Sequence, residues 1–240
     1  MYPEDSIQSL VEPWWTPAAG GKVERGRLIR ALVPYPEMKP HRLIPEGRGS
    51  DARQHERATF RIEPFRIGDS TPPASMLPVA GLPVRPGETY SVHRGKVRPA
   101  IVLSTGGPEI PREIAGGRER WQAAHTILVA PFYGAESGGT RGGWPSAFVT
   151  RIKRVEYPQY VWDMLPITGS TDAILRLDHL FPIGADPAGY QTLPFQLSSD
   201  ALAVLDDWSR WLYSGQLEPE SILGMIRAEF QKLQDASDNG

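Results

Sequence analysis

The sequence predicts a mainly β protein finished by two helices, and three observations predict it. Short runs of aliphatic and β-branched residues recur along most of the chain, at strand length and bounded by turn formers. With 24 Gly and 24 Pro in 240 residues, loops are frequent and long helices few. Only beyond Ser199 do apolar residues settle into helical spacing.

Taken in order, residues 1–26 hold Trp14, Trp15, Pro17 and the Gly20-Gly21 pair, and read as an arm with little regular structure. The Trp pair either anchors that arm on an apolar surface or packs as ordinary aromatics. Residues 27–33 read as a strand stopped by Pro34, residues 34–57 as a long surface loop, and residues 58–62 as a second strand. Residues 71–83, rich in Pro, read as a linker or wrapping segment. A strand over 88–93, a turn over 94–97 and a strand over 98–104 follow. Next come a loop carrying Arg112, Arg118 and Arg120, a strand over 125–132, and a Gly-rich stretch over 134–145 that should be mobile. Residues 146–154 read as a strand with one basic side, and residues 172–183 as the strand that closes the β portion. The first terminal helix starts near Ser199 and Asp200, carries Leu205, Trp208 and Leu212, and stops at Gly215. In the second, Pro219 suits a first helical position and Ile222, Ile226, Phe230 and Leu233 form one packing stripe. The expected organisation is an N-terminal extension over 1–84, a barrel domain over 85–215 and a C-terminal helix over 216–240.

Composition narrows the chemistry. No Cys is present, which excludes disulfides, thiolate metal ligands and a Cys nucleophile, and fits a reducing, cytoplasmic setting. No apolar run reaches membrane-spanning length, and the opening Met1-Tyr2-Pro3-Glu4-Asp5 is unlike a secretory signal. The five histidines are widely separated, and no His-Glu-x-x-His spacing or nucleotide-cradling Gly-Lys-Ser/Thr ending occurs, so neither a metal nor a cofactor is expected. A net charge of -2 gives no global pull toward nucleic acid, so any RNA site must be a local basic patch.

The densest local signal is Arg94-Gly95-Lys96-Val97-Arg98-Pro99-Ala100-Ile101-Val102-Leu103-Ser104, a basic segment running into an apolar strand. Pro99 pushes Arg98 toward extended backbone, placing a permanently charged guanidinium at the strand's mouth. This wording resembles the conserved strand of the PemK/MazF family of toxin ribonucleases. Two further blocks resemble that family in the same order. One is Ile127-Leu128-Val129-Ala130-Pro131; the other is Ile174-Leu175-Arg176-Leu177-Asp178-His179-Leu180-Phe181-Pro182-Ile183, set against a family pattern Val-x-Leu-Asp-Gln-Leu-Arg-Thr-Val. The resemblance covers residues 86–214. It implies an SH3-like barrel of the PemK/MazF/CcdB type with C-terminal helices, homodimer pairing, an antitoxin partner, and metal-independent cleavage of single-stranded RNA in a toxin–antitoxin or defence system. In that chemistry the ribose 2′-hydroxyl attacks the adjacent phosphate. The turn before Arg98 is shorter than in the toxins, and the family's second catalytic position, commonly Thr or Ser, falls near Tyr133.

Cleavage of this kind needs a proton acceptor, a stabiliser of phosphorane charge and a proton donor. Arg98 suits the second task, since a guanidinium matches two phosphate oxygens, but it is a poor base. Tyr133 is the second candidate, to bond the phosphate or relay a proton, with His93 and His125 as readier bases. Arg94, Lys96, Arg151, Lys153 and Arg154 are the candidates for tracking an RNA backbone, with Trp144 or Trp162 as a stacking surface. The ordinary alternatives are an ion pair of Arg98 with Glu88 or Asp178, and solvated basic faces elsewhere. Two non-enzymatic readings stand beside the nuclease: the same barrel with a decayed site serving as a protein-binding module, or as an RNA-binding module.

Overall fold

The structure is a computed structural model that describes residues 2–36, 39–48, 58–69, 87–108, 110–111, 113–118, 120–135, 143–169 and 172–238. It is mainly β, with one strongly curled antiparallel sheet and three helices of two turns or more. The chain forms two compact units, Met1–Leu32 with Val97–Gly240, and Val33–Lys96.

The first unit is built on strands β1 (Trp15–Pro17), β2 (Arg27–Pro34), β6 (Gly95–Ser104), β7 (Thr126–Gly134), β8 (Tyr160–Met164), β9 (Asp172–Arg176), β10 (Phe181–Gly184) and β11 (Tyr190–Leu197). Their order is β1-β11-β2-β6-β7-β9-β8, with β10 also paired to β7. β7 pairs with β6 along one edge, Ala100 opposite Pro131. Its other edge is shared, since β10 covers Thr126–Val129 and β9 covers Phe132–Gly134. Alternation sends side chains to both faces of this sheet. Leu28, Ile101, Ala130 and Phe132 enter one core with Trp208 and Trp211 of helix α3 (Ser199–Ser214) and with Leu223 and Phe230 of α4 (Ile222–Asp238). Ile29, Ala31, Ala100, Val102, Ile127 and Val129 form a second core on the opposite face. Burial on both faces is why these strands read as nearly continuous apolar runs.

In the second unit β3 (His41–Arg48) lies between β4 (Ala58–Pro64) and β5 (Tyr90–Val92). The expected loop over 34–57 is therefore a strand for much of its length. Pro45 and Gly47 disguise it, and the ladder accommodates them with a register shift between the two. Of the remaining expectations, the wrapping segment over 71–83 and most of the Gly-rich stretch lie outside the described residues.

Three further expectations are corrected. Residues 146–154 form not a strand but helix α2 (Ser146–Lys153): Phe148, Val149 and Ile152 fall three and four apart, and Ile152 is wholly buried. Gly95–Val97 is strand rather than turn. The β portion does not close at residue 183, because β11 follows, its Pro194 absorbed by a register shift between Thr192 and Gln196. The last helix begins at Ile222, not at Pro219. Ser221 Oγ accepts from Gly224 N at 3.0 Å, and the buried Asp207 of α3 accepts from Leu223 N at 3.3 Å. Gly215 terminates α3 in left-handed backbone, φ 74°, as expected. A one-turn helix α1 (Arg120–Ala123) precedes β7. Among the described residues, no helix is long and apolar enough to cross a membrane.

The arm is fixed by one carboxylate. Asp163 of β8 is 2% exposed and accepts from Tyr2 Oη at 2.8 Å, Trp14 Nε1 at 3.2 Å and Trp15 Nε1 at 3.1 Å. Gln8 Nε2 donates to the carbonyl of neighbouring Trp162. The Trp pair thus both packs and anchors, through its indole N–H groups. Burial pushes Asp163 up to about 6, against the pull of its hydrogen bonds toward the charged form. The folded protein therefore takes this proton more readily than the unfolded chain, and the residue favours folding more at low pH than at neutral pH. Relative to Asp163→Asn, the wild type should lose roughly 2 kcal/mol of unfolding free energy as pH rises from about 4 to about 7. Urea denaturation at fixed ionic strength reads this difference, and a pH-independent gap would contradict the assignment.

Candidate functional site

The register of β7 decides which side chains meet. Antiparallel partners on one face stand directly opposite, so continuing the ladder two residues beyond Ala100 and Pro131 sets Arg98 across from Tyr133. On the other edge Tyr133 pairs with Ile174, which places Arg176 on the same face and diagonal to it. The half-buried Arg98 guanidinium carbon lies 4.3 Å from the Tyr133 ring centroid, and Arg176 lies 6.0 Å from it and 4.8 Å from that of Tyr160.

Between β9 and β10 the chain leaves the edge of β7 in a 3-10 turn, Leu177–His179, then returns to it. Leu177 is buried and its N–H bonds the Gln159 carbonyl at 3.0 Å, pinning the turn. His179 is thereby held against Tyr133, near the end of β7, its Nδ1 2.9 Å from Tyr133 Oη and its Nε2 2.7 Å from Arg176 Nη2. Arg176 is bound in turn by Asp178, with Nε to Oδ1 at 2.7 Å and Nη2 to Oδ2 at 2.6 Å.

These contacts assign the imidazole proton. A guanidinium only donates, so Nε2 must be the acceptor, and Nδ1 carries the hydrogen and donates it to Tyr133 Oη. The phenol is an acceptor toward His179 and keeps its own O–H for another partner. Burial lowers the His179 pKa, and the Arg176 charge lowers it further, against the opposing effect of Asp178. Burial also works against charge on Asp178, but the bonds and charge of Arg176 outweigh it and hold that carboxyl below its ordinary range. The arrangement is a neutral imidazole wired through Nδ1 to a phenol that lies under Arg98, and through Nε2 to Arg176, which Asp178 holds.

Of the sequence candidates, the structure brings Arg98 and Tyr133 into contact. His179, Arg176 and Tyr160 escaped notice. His179 stood among dispersed histidines, and its signal was its place in the third block, where the family pattern has Gln and this chain has His beside Asp178. Arg94 and Lys96 are exposed and belong to the second unit, where Arg94 lies over Tyr35 at 5.7 Å. Arg151, Lys153 and Arg154 come from α2 and the residue after it. Arg151 pairs with Glu156 at 2.5 Å, and Lys153 sits 3.9 Å from Asp5 and 4.4 Å from the Trp162 ring centroid. Trp162 is 1% exposed and cannot stack a base, while Trp144 packs on Phe148 at 5.1 Å. Among the described residues no three His, Asp or Glu side chains converge as a metal would require. No protein-family model matches this sequence, and no curated protein matches it.

Proposed function

We propose that the chain is a metal-independent endoribonuclease of the PemK/MazF kind, built on an SH3-like barrel, that cleaves single-stranded RNA by 2′-hydroxyl attack. The observation that carries this reading is the contact chain Arg98–Tyr133–His179–Arg176. It offers each function that the reaction needs. Arg98 neutralises charge on the phosphorane. A bound phosphate competes for Arg176 and releases the Nε2 lone pair, which takes the 2′-hydroxyl proton as the 2′-oxygen bonds to phosphorus. As the bond from phosphorus to the 5′-oxygen breaks, Tyr133 gives its hydroxyl proton to that oxygen and is resupplied by His179 Nδ1–H. The imidazole ends neutral in its other tautomer, the protons balance, and the products are a 2′,3′-cyclic phosphate and a 5′-hydroxyl. Homodimer pairing and an antitoxin partner belong to the same proposal.

One observation favours a second reading. Asp178 already satisfies Arg176, and both ring nitrogens of His179 are engaged within the protein, as in a site retained for binding alone. RNA bound in a salt-sensitive way but left intact would support an RNA-binding module. A protein partner that persists in Arg98→Ala would support a protein-binding one.

Incubating the protein with single-stranded RNA in EDTA should give products with cyclic phosphate ends. Arg98→Ala should lower the rate about 100-fold or more, the cost of removing a principal charge stabiliser. Tyr133→Phe, which keeps the ring under Arg98, should lower it by about 100-fold through loss of the proton relay. Intact RNA, or variants as active as the wild type, would rule out this mechanism.

The pH profile gives a separate check. The reactive imidazole must be neutral and its pKa is depressed, so the acid limb of kcat/KM should fall below the ordinary histidine value of 6.5. Asp178→Asn removes the one charge that raises that pKa and should move the limb lower still. A shift to higher pH would contradict the assigned electrostatics.

A further inference from the structure

A cleft of about 610 Å³ lies on the first unit, lined by Tyr2, Glu12, Trp14, Trp15, Met164 and Leu165 among others. Its volume falls in the range of small-ligand sites. Its walls are built from the arm residues that Asp163 holds in place, and that origin determines their chemistry. Both indole N–H groups and the Tyr2 hydroxyl are turned onto the Asp163 carboxylate, the hydroxyl also reaching the Met164 carbonyl at 3.2 Å. The three rings consequently contribute carbon and π surface to the cleft.

The charge here is one-sided. No Lys, Arg or His lines the cleft, and its single ionisable carboxyl, the exposed Glu12, has no ion-pair partner among the described residues. Behind the rings, Asp163 is buried without a cation: its side-chain partners among the described residues are a phenol and two indoles. A buried carboxylate without a counter-ion projects a negative potential through the low-dielectric rings in front of it. Aromatic faces are themselves negative at their centres. Glu12 at the surface and the Asp163 carboxylate at the N–H edges of the indoles both favour positive charge.

We propose that this cleft binds an organic cation, an ammonium or guanidinium on an apolar stem, with the charge directed toward Glu12 and the aromatic walls. The ligand is recognised by cation–π attraction and by apolar contact with Met164 and Leu165. A lysine or arginine side chain and a free alkylammonium share this chemistry. The site is independent of the Arg98–His179 cluster and of any nuclease activity.

The test uses the full chain and follows the indole N–H resonances of Trp14 and Trp15 by NMR. Choline, Nα-acetyl-lysine methylamide and Nα-acetyl-arginine methylamide are the cationic probes, and 3,3-dimethylbutan-1-ol is the neutral isostere of choline. At least one cation should shift these resonances saturably, and the tightest identifies the source as a free alkylammonium or a side chain. The neutral isostere of choline should bind about tenfold more weakly than choline if choline is that probe, a difference within the range of a desolvated cation–π contact. Glu12→Gln, an exposed substitution that leaves the Asp163 cluster intact, should weaken the tightest cation about tenfold, and added salt should do the same in direction. Absence of saturation by every cation, equal binding of choline and its isostere where choline is the tightest probe, or affinity for the tightest cation unchanged in Glu12→Gln would overturn the proposal.

Discussion

Strand β7 is the shared neighbour on which the rest of the candidate site depends. Its two edges serve three strands: β6 along one side, β9 and β10 in succession along the other. A strand with both faces buried is held to one register, because a slip of one residue would exchange its side chains between two cores shaped for different residues. β7 meets that condition, with Ala130 and Phe132 in one core and Ile127 and Val129 in the other. The packing that fixes the fold therefore also fixes where Tyr133 stands relative to Arg98 and Arg176. The handover from β9 to β10 leaves a gap along the edge of β7, and the turn that spans it delivers His179 to the phenol. Core register and site geometry are one constraint.

The electrostatics of the cluster follow from the inventory of donors. Burial, and the Arg176 guanidinium beside it, would make a protonated imidazole costly, and the ring escapes that cost by staying neutral and accepting from Arg176. Asp178 offsets one of the two positive charges and steers the plane of Arg176 through two parallel bonds. Between Arg98 and Arg176 stands an uncharged acid–base pair, His179 and Tyr133.

Much of the fold was legible in the sequence where hydrophobic pattern and element length agreed. β2, β4, β6, β7 and α3 were all readable as apolar runs or helical stripes with clear stops. The errors share a physical cause. Pro45 with Gly47 in β3, and Pro194 in β11, are breakers that a bulge accommodates, and bulges depend on the partner strand rather than on the local sequence. Residues 146–154 contain β-branched residues that also fit a helix, and only the burial of Ile152 in one cluster with Trp162 of β8 and Ile174 of β9 settles the period. At the site, Arg98 was legible because Pro99 advertises its backbone. His179 was not, because its role arises from a break between two strands that share a neighbour, and no spacing along the chain encodes that juxtaposition.

The buried Asp163 extends the same logic to the arm. A hydrophobic residue of similar size would avoid its desolvation cost, so stability alone does not account for a carboxylate at this position. What a carboxylate does that an apolar side chain cannot is gather donors: it orients one phenol and two indoles at once, and each ring is then fixed in direction as well as in place. Those rings seat the arm against β8, and β8 lies beside β9, the strand that presents Arg176. Removing the acid would deprive the buried Trp14 and the half-buried Trp15 and Tyr2 of their shared acceptor together. The effect would reach β8 and, through its ladder, the outer support of β9, the strand that presents Arg176. Asp163 is thus a positioning group for the sheet edge, acting through hydrogen-bond direction, while the cores on either side of β7 supply the bulk of the stabilisation.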